Sequence, residues 1–349
     1  MQIELYRDLE SFHAWSMHKV FELCGRVDPV KLQAVYPMVY GSALQILATC
    51  ASTERFWFDL CTKTSRESMW DPPETLDGLK SFLLSIANER REWVENHSDS
   101  LSTVIEYRNV HGRYFHKRLG DILLNSFNTA VGLRALLLYV LKQCGQTAVG
   151  GLDYIFYRLS APTIPLQAEV AESYRQWGLE VGQSVTPSQA ADLNSLIDFA
   201  EYGDWATQVL CNQALYLTDE ALDRDWGIGP GTIRKTFLHL YDSERFWQAN
   251  WDGPGSAFDH SNASTTITEV VAKWSKMADI RKRKTIQMQG QLDSSVCVDF
   301  GSGPLEFRFS ESLLQLAVHG THHRTQLHYM LCQSGRPPQA IDYVDWAHA

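Results

Sequence analysis

His319 and His323 stand four residues apart in a segment with helical apolar spacing, so their imidazoles leave one helix face one turn apart. That separation suits a shared metal ion. Leu316, Leu327 and Met330 share the face, which turns it toward a core, and imidazoles placed there need partners. A third imidazole, His239, lies five residues before a Glu-Arg-Phe-Trp run in an earlier helical segment, and a bundle sets such a segment beside the last helix. Three neutral imidazoles bind zinc, nickel or iron(II) and leave coordination positions open for water or substrate. Spacing alone leaves a second reading, core histidines bonded to carbonyls, since the chain has no HExxH-type motif.

Around this trio, His322 is placed to orient a ligand or substrate, whereas His328 faces another side of the helix. Tyr202, Arg324 and Asp342 are candidates for the lining of the site. His13, His18, His97, His111, His116, His260 and His348 show no convergent pattern. Trp205, Trp247 and Trp274 read as core packing rather than a ligand platform. Seven cysteines, an odd count with no CxxC pair, fit neither a disulfide framework nor a zinc ribbon and read as buried reduced thiols.

The elements that position these residues come from an internal repeat. Glu54-Arg55-Phe56-Trp57 recurs as Glu244-Arg245-Phe246-Trp247, an offset of 190 residues (54 to 244). The same register carries Trp15 onto Trp205, Leu32 onto Leu222, Gly41 onto Gly231, Leu123-Leu124 onto Leu313-Leu314, and Arg134 onto Arg324. Past Gly145 it slips by one, so that Leu152-Asp153-Tyr154 faces Ile341-Asp342-Tyr343. Each copy reads as four helices, near 188–216, 231–250, 265–288 and 310–334 in the second. Thr186-Pro187 opens the first of these, Gly231-Thr232 the second, and Gly335 followed by Pro337-Pro338 stops the fourth.

Val296 to Phe300 and Leu305 to Phe309 alternate like a hairpin before the last helix, with a counterpart in Thr103 to Tyr107 and Tyr114 to Lys117. The expected fold is therefore all-α, two tandem four-helix bundles, each with a short β-hairpin before its last helix. The expected boundaries are 1–160 and 188–349, joined over 161–187 by a linker with a helix at Leu166 to Leu179.

The run Gly231-Thr232-Ile233 to Leu238-His239-Leu240, then Glu244 and Trp247, and His319-x-x-x-His323-Arg324-x-Gln326-Leu327 resemble the DinB/YfiT-type family. Gly335-Arg336-Pro337-Pro338 and Asp342 continue the likeness, while Thr325 stands where the family often has glycine. The resemblance covers residues 190–349 and, weakly through the repeat, 1–155. It implies a bundle in which His239, His319 and His323 hold a divalent metal, zinc or nickel first, iron or manganese next. Shifted back by the repeat, the ligands fall on Thr49, Thr129 and Leu133, so the first copy is degenerate: it keeps Glu-Arg-Phe-Trp and drops the metal set. Glu54 and Glu244 are then structural rather than general acids.

The resemblance further suggests a metal-dependent thiol S-transferase that uses a low-molecular-weight thiol as co-substrate. Hydrolysis of a small substrate by a metal-bound hydroxide, or a stress-associated metal- or ligand-binding role without catalysis, are the alternatives. The formal charge of −10 speaks against nucleic acid as a partner. The chain shows no run of about 18 uninterrupted apolar residues and no basic-then-apolar start, so the expectation is a cytoplasmic protein with no membrane partner. Its composition, 44% hydrophobic and 21% charged, is that of a globular chain. The two bundles are expected to pair within the chain, with homo-oligomerisation left open.

Overall fold

Hydroxyl side chains set the helix starts. Ser42 accepts the N–H of Gln45 while its own N–H donates to the Gln45 side chain, a reciprocal cap that opens a helix over Ala43–Thr62. Thr75, Thr232 and Thr266 cap Leu76–Asn96, Ile233–Asn250 and Ile267–Gln287 in the same manner, the last with Glu269 completing the box. The computed structural model describes residues 3–36, 39, 41–63, 71–108, 114–146, 151–160, 193–253, 261, 264–301 and 303–347. The expected linker helix and its Thr186-Pro187 neighbour lie outside the described residues, as do His111, His260 and His348.

In chain order the helices are α1 (Ile3–Cys24), α2 (Pro29–Gln33), α3 (Ala43–Thr62), α4 (Leu76–Asn96), α5 (Leu119–Gln143), α6 (Tyr154–Ser160), α7 (Leu193–Ala214), α8 (Asp219–Asp223), α9 (Ile233–Asn250), α10 (Ile267–Gln287), α11 (Phe309–Gln333) and α12 (Tyr343–Trp346). Strands β1 (Val104–Arg108) and β2 (Tyr114–Arg118) pair antiparallel, as do β3 (Ser295–Asp299) and β4 (Pro304–Arg308). The fold is all-α with two small hairpins. Two compact units emerge: Met1–Leu152, Phe156–Ser188 and Asp342–Ala349 form the first, and Asp153–Ile155 with Gln189–Ile341 the second.

The first unit packs α1, α3, α4 and α5 around Phe12, Met17, Leu47 and Leu79, all fully buried. Helix α5 is apolar enough by length and composition to cross a membrane, but 78% of its most apolar stretch is buried inside the structure, as befits a core helix. The second unit packs α7, α9, α10 and α11 in the same order.

The Glu-Arg-Phe-Trp run does one job in both units. Its glutamate meets a buried arginine of the following helix: Arg90 Nη1 donates to Glu54 Oε2 at 3.0 Å, and Arg281 Nη1 lies 2.7 Å from Glu244 Oε1. A second carboxylate, Glu10 or Asp204, completes each cluster. The tryptophan sets its edge against the hairpin, Trp57 on Tyr107 and Trp247 on Phe307, each at 5.8 Å between ring centres. Removing a carboxylate from such a cluster strands a guanidinium in the core, which makes the glutamate a packing residue of the bundle.

Candidate metal centre

Helix α9 presents His239 and α11 presents His319 and His323, one turn apart. The ring centres lie 4.9 Å apart for His239 and His319, 4.6 Å for His239 and His323, and 4.5 Å for His319 and His323. One nitrogen from each ring falls within 4.8 Å of the others. His319 and His323 are buried, and His239 is half-buried. Three rings at that spacing surround a single point, which histidines bonded separately to carbonyls have no reason to do.

Each ring on α11 is held from outside. His323 donates its Nδ1–H to Gln326 Oε1 at 2.8 Å, which leaves its Nε2 lone pair free. The amide of Gln326 donates in turn to His322 Nε2 at 2.9 Å. Gly229, in the turn before α9, makes room for that amide: its φ is +57°, and a Cβ there would lie 2.0 Å from Gln326 Oε1. His319 has Asp153 Oδ2 3.2 Å from Nδ1 and the Ser243 hydroxyl 3.1 Å from Nε2. Ser243 is one turn beyond His239 on α9, on the same face.

Burial, then the neighbouring rings of His319, His322 and His239, push the His323 imidazole well below its ordinary value, so it is neutral. A neutral imidazole with one nitrogen occupied by an acceptor is the form that ligates a metal. Burial opposes the charged form of the Asp153 carboxyl, yet His319, His322 and His239 outweigh it and bring the group down to about 2.

The remaining sequence candidates are spread differently. His322 lies beside the converging rings, 4.9 Å between ring centres from His323. Arg324 is buried on the next face of α11, donates to Thr321 Oγ1 at 3.0 Å, and sits 5.5 Å over the ring of Tyr202. The Tyr202 hydroxyl is committed to the Ile341 carbonyl at 2.7 Å. A narrow cavity beside His319 is walled by Gly203, Asp204, Glu244, Arg281 and Arg324. His328 carries a buried Nδ1 without a partner and faces away, and Asp342 belongs to the first unit. Trp247 and Trp274 are core residues, the latter donating to Asp204 at 3.0 Å, and Trp205 is half-buried beside Tyr202.

In the first unit the 190-residue register sets Thr49, Thr129 and Leu133 opposite His239, His319 and His323. There His13 is deeply buried, its Nε2 3.2 Å from Glu54 Oε2 and its Nδ1 accepting from Arg134 at 2.9 Å. The repeat puts Gly203 at the position of His13, so the second unit keeps a cavity between Glu244 and Arg324 where the first has an imidazole. His13 shows no convergent pattern along the chain because its partners, Glu54 and Arg134, are distant from it in sequence. Ser243 and Asp153 were also missed, although the helical turn from His239 and the repeated Asp-Tyr pair were visible.

The donor set fits a divalent ion of borderline softness. Neither a curated protein nor a solved structure matches the chain. One family model does match, over residues 191–349, and its members are typically metal-binding. The matched stretch carries all three converging histidines and is similar to the model described as DinB family.

Proposed function

We propose that this protein is a divalent-metal-dependent thiol S-transferase, joining a low-molecular-weight thiol to an electrophilic carbon of a small substrate. The convergence of His239, His319 and His323, with nitrogens within 4.8 Å of one another, carries the reading. Imidazole donors suit zinc and nickel first, then iron(II) and manganese. Three protein ligands leave positions for an incoming sulfur, and a bound divalent ion lowers the pKa of a coordinating thiol so that thiolate is present at neutral pH. Gln326 keeps the His323 lone pair directed inward, and His322, accepting at Nε2, holds its own proton at Nδ1. Arg324 and Tyr202 close the neighbouring wall against water.

The reading takes the two units as copies of one fold, the first having lost its imidazoles while keeping the Glu-Arg-Phe-Trp cluster. It places the protein in the cytoplasm, where its seven free cysteines stay reduced.

Elemental analysis of the purified chain beside His239→Ala, His319→Ala and His323→Ala tests the centre. Stoichiometric metal in the purified parent, lost during purification from folded variants that bind it more weakly, is the expected result, and a metal-free parent refutes the reading. Thiol consumption with monochlorobimane then tests the reaction. Turnover that needs no thiol assigns hydrolysis instead, and bound metal without turnover assigns a metal-binding role.

A further inference from the structure

The metal ligands all lie within residues 191–349, but one of the side chains against them does not. Asp153 belongs to the second compact unit through the short stretch Asp153–Ile155, far upstream of the rest of that unit. Two contacts seat this stretch on α11. The N–H of Ile155 donates to Gln315 Oε1 at 2.8 Å, and one turn further along the same face His319 Nδ1 lies 3.2 Å from Asp153 Oδ2. The carboxylate side chain is largely covered, at 21% exposure, and the imidazole more so, at 11%.

The first unit repeats the docking without the chemistry. Val344 N–H donates to Asn125 Oδ1 at 3.1 Å, and the repeat register sets Asn125 opposite Gln315. The residue at the place of His319 is Thr129, whose buried hydroxyl has no partner. A backbone seat on α5 or α11 is thus a property of the fold, and the carboxylate–imidazole pair arises where the imidazole is present.

We propose that Asp153 is a positioning residue of the metal centre: it accepts the Nδ1–H of His319, fixes that tautomer and turns Nε2 toward the ion. The Ser243 hydroxyl lies 3.1 Å from Nε2, so in that tautomer its proton meets the Nε2 lone pair. A carboxylate on the far nitrogen also makes the imidazole a stronger donor, and loss of such a partner typically weakens metal binding about 10–100-fold. The stretch that supplies it lies outside the region that resembles the family, so the upstream half of the chain has a part in the site. This inference rests on the metal reading above.

The test is a titration of the full-length protein with cobalt(II), followed by competition with zinc(II), in the parent, Asp153→Ala, Asp153→Asn, His319→Ala and Asp153→Ala/His319→Ala. The parent should bind one equivalent and develop visible d–d bands. Asp153→Ala should bind about 10–100-fold more weakly with altered bands, and Asp153→Asn, which keeps an acceptor of the same shape, should lose less. With His319 already removed, Asp153→Ala should cost nothing more. Unchanged affinity in the single variants, additive losses in the double variant, or disappearance of an oxygen neighbour from the cobalt X-ray absorption spectrum of Asp153→Ala would each overturn the assignment. A parent that binds no cobalt removes the metal reading itself, which separates the two failures.

Discussion

Gln326 accepts the Nδ1–H of His323 at 2.8 Å from three residues further along α11. The bond is local to one helix, but it selects which nitrogen of the imidazole keeps a lone pair. Gln326→Leu keeps the volume approximately and deletes the acceptor, so metal affinity should fall about 10–100-fold with little change in fold. Competition titration against a chelator measures it, and an affinity equal to the parent's would show that packing alone holds His323.

Gly229 should be intolerant of any side chain. At a φ of +57° an L-residue costs about 1–2 kcal/mol, and its Cβ would meet the amide of Gln326 at 2.0 Å. Gly229→Ala should therefore lower both stability and metal affinity. In the Gln326→Ala background the affinity loss from Gly229→Ala should largely vanish, because the clash partner is gone. Urea unfolding and metal titration of the four proteins close that cycle.

Glu54 and Glu244 answer buried arginines rather than substrate. Glu54→Ala or Glu244→Ala leaves Arg90 or Arg281 short of a carboxylate in the core, a loss of about 3–5 kcal/mol each. Equilibrium denaturation reads it. A cost below that of an ordinary surface substitution would place these residues outside the structural network.

Acid should weaken the first unit through His18. Burial first, then Lys19 and Lys80 against an opposing Glu22, lower its imidazole to about 4, while in the unfolded chain it titrates near the ordinary 6.5. Between those values the unfolded chain binds a proton that the folded chain refuses, so stability is present above pH ~6.5 and drains away as pH falls toward ~4. His18→Leu should flatten that part of the pH profile in urea unfolding. A gap between parent and variant that stays constant across the range would refute the assignment.

Local periodicity is enough for the helices, the hairpins and the shared face of His319 and His323. His319 and His323 share a face because four residues make about one turn, and Gly231-Thr232 opens the helix of His239 because a threonine hydroxyl caps the free N–H groups there. The repeat made the Glu-Arg-Phe-Trp cluster visible as structural before its arginines were known. The tertiary structure alone decided the partners that come from elsewhere in the chain: Asp153 on His319, 166 residues away, Arg281 on Glu244, and His13 between Glu54 and Arg134. Sequence spacing encodes direction along a helix, whereas side chains on different elements meet only once the bundle has packed, and the identity of the neighbour then depends on where a covered charge or imidazole finds its counterpart.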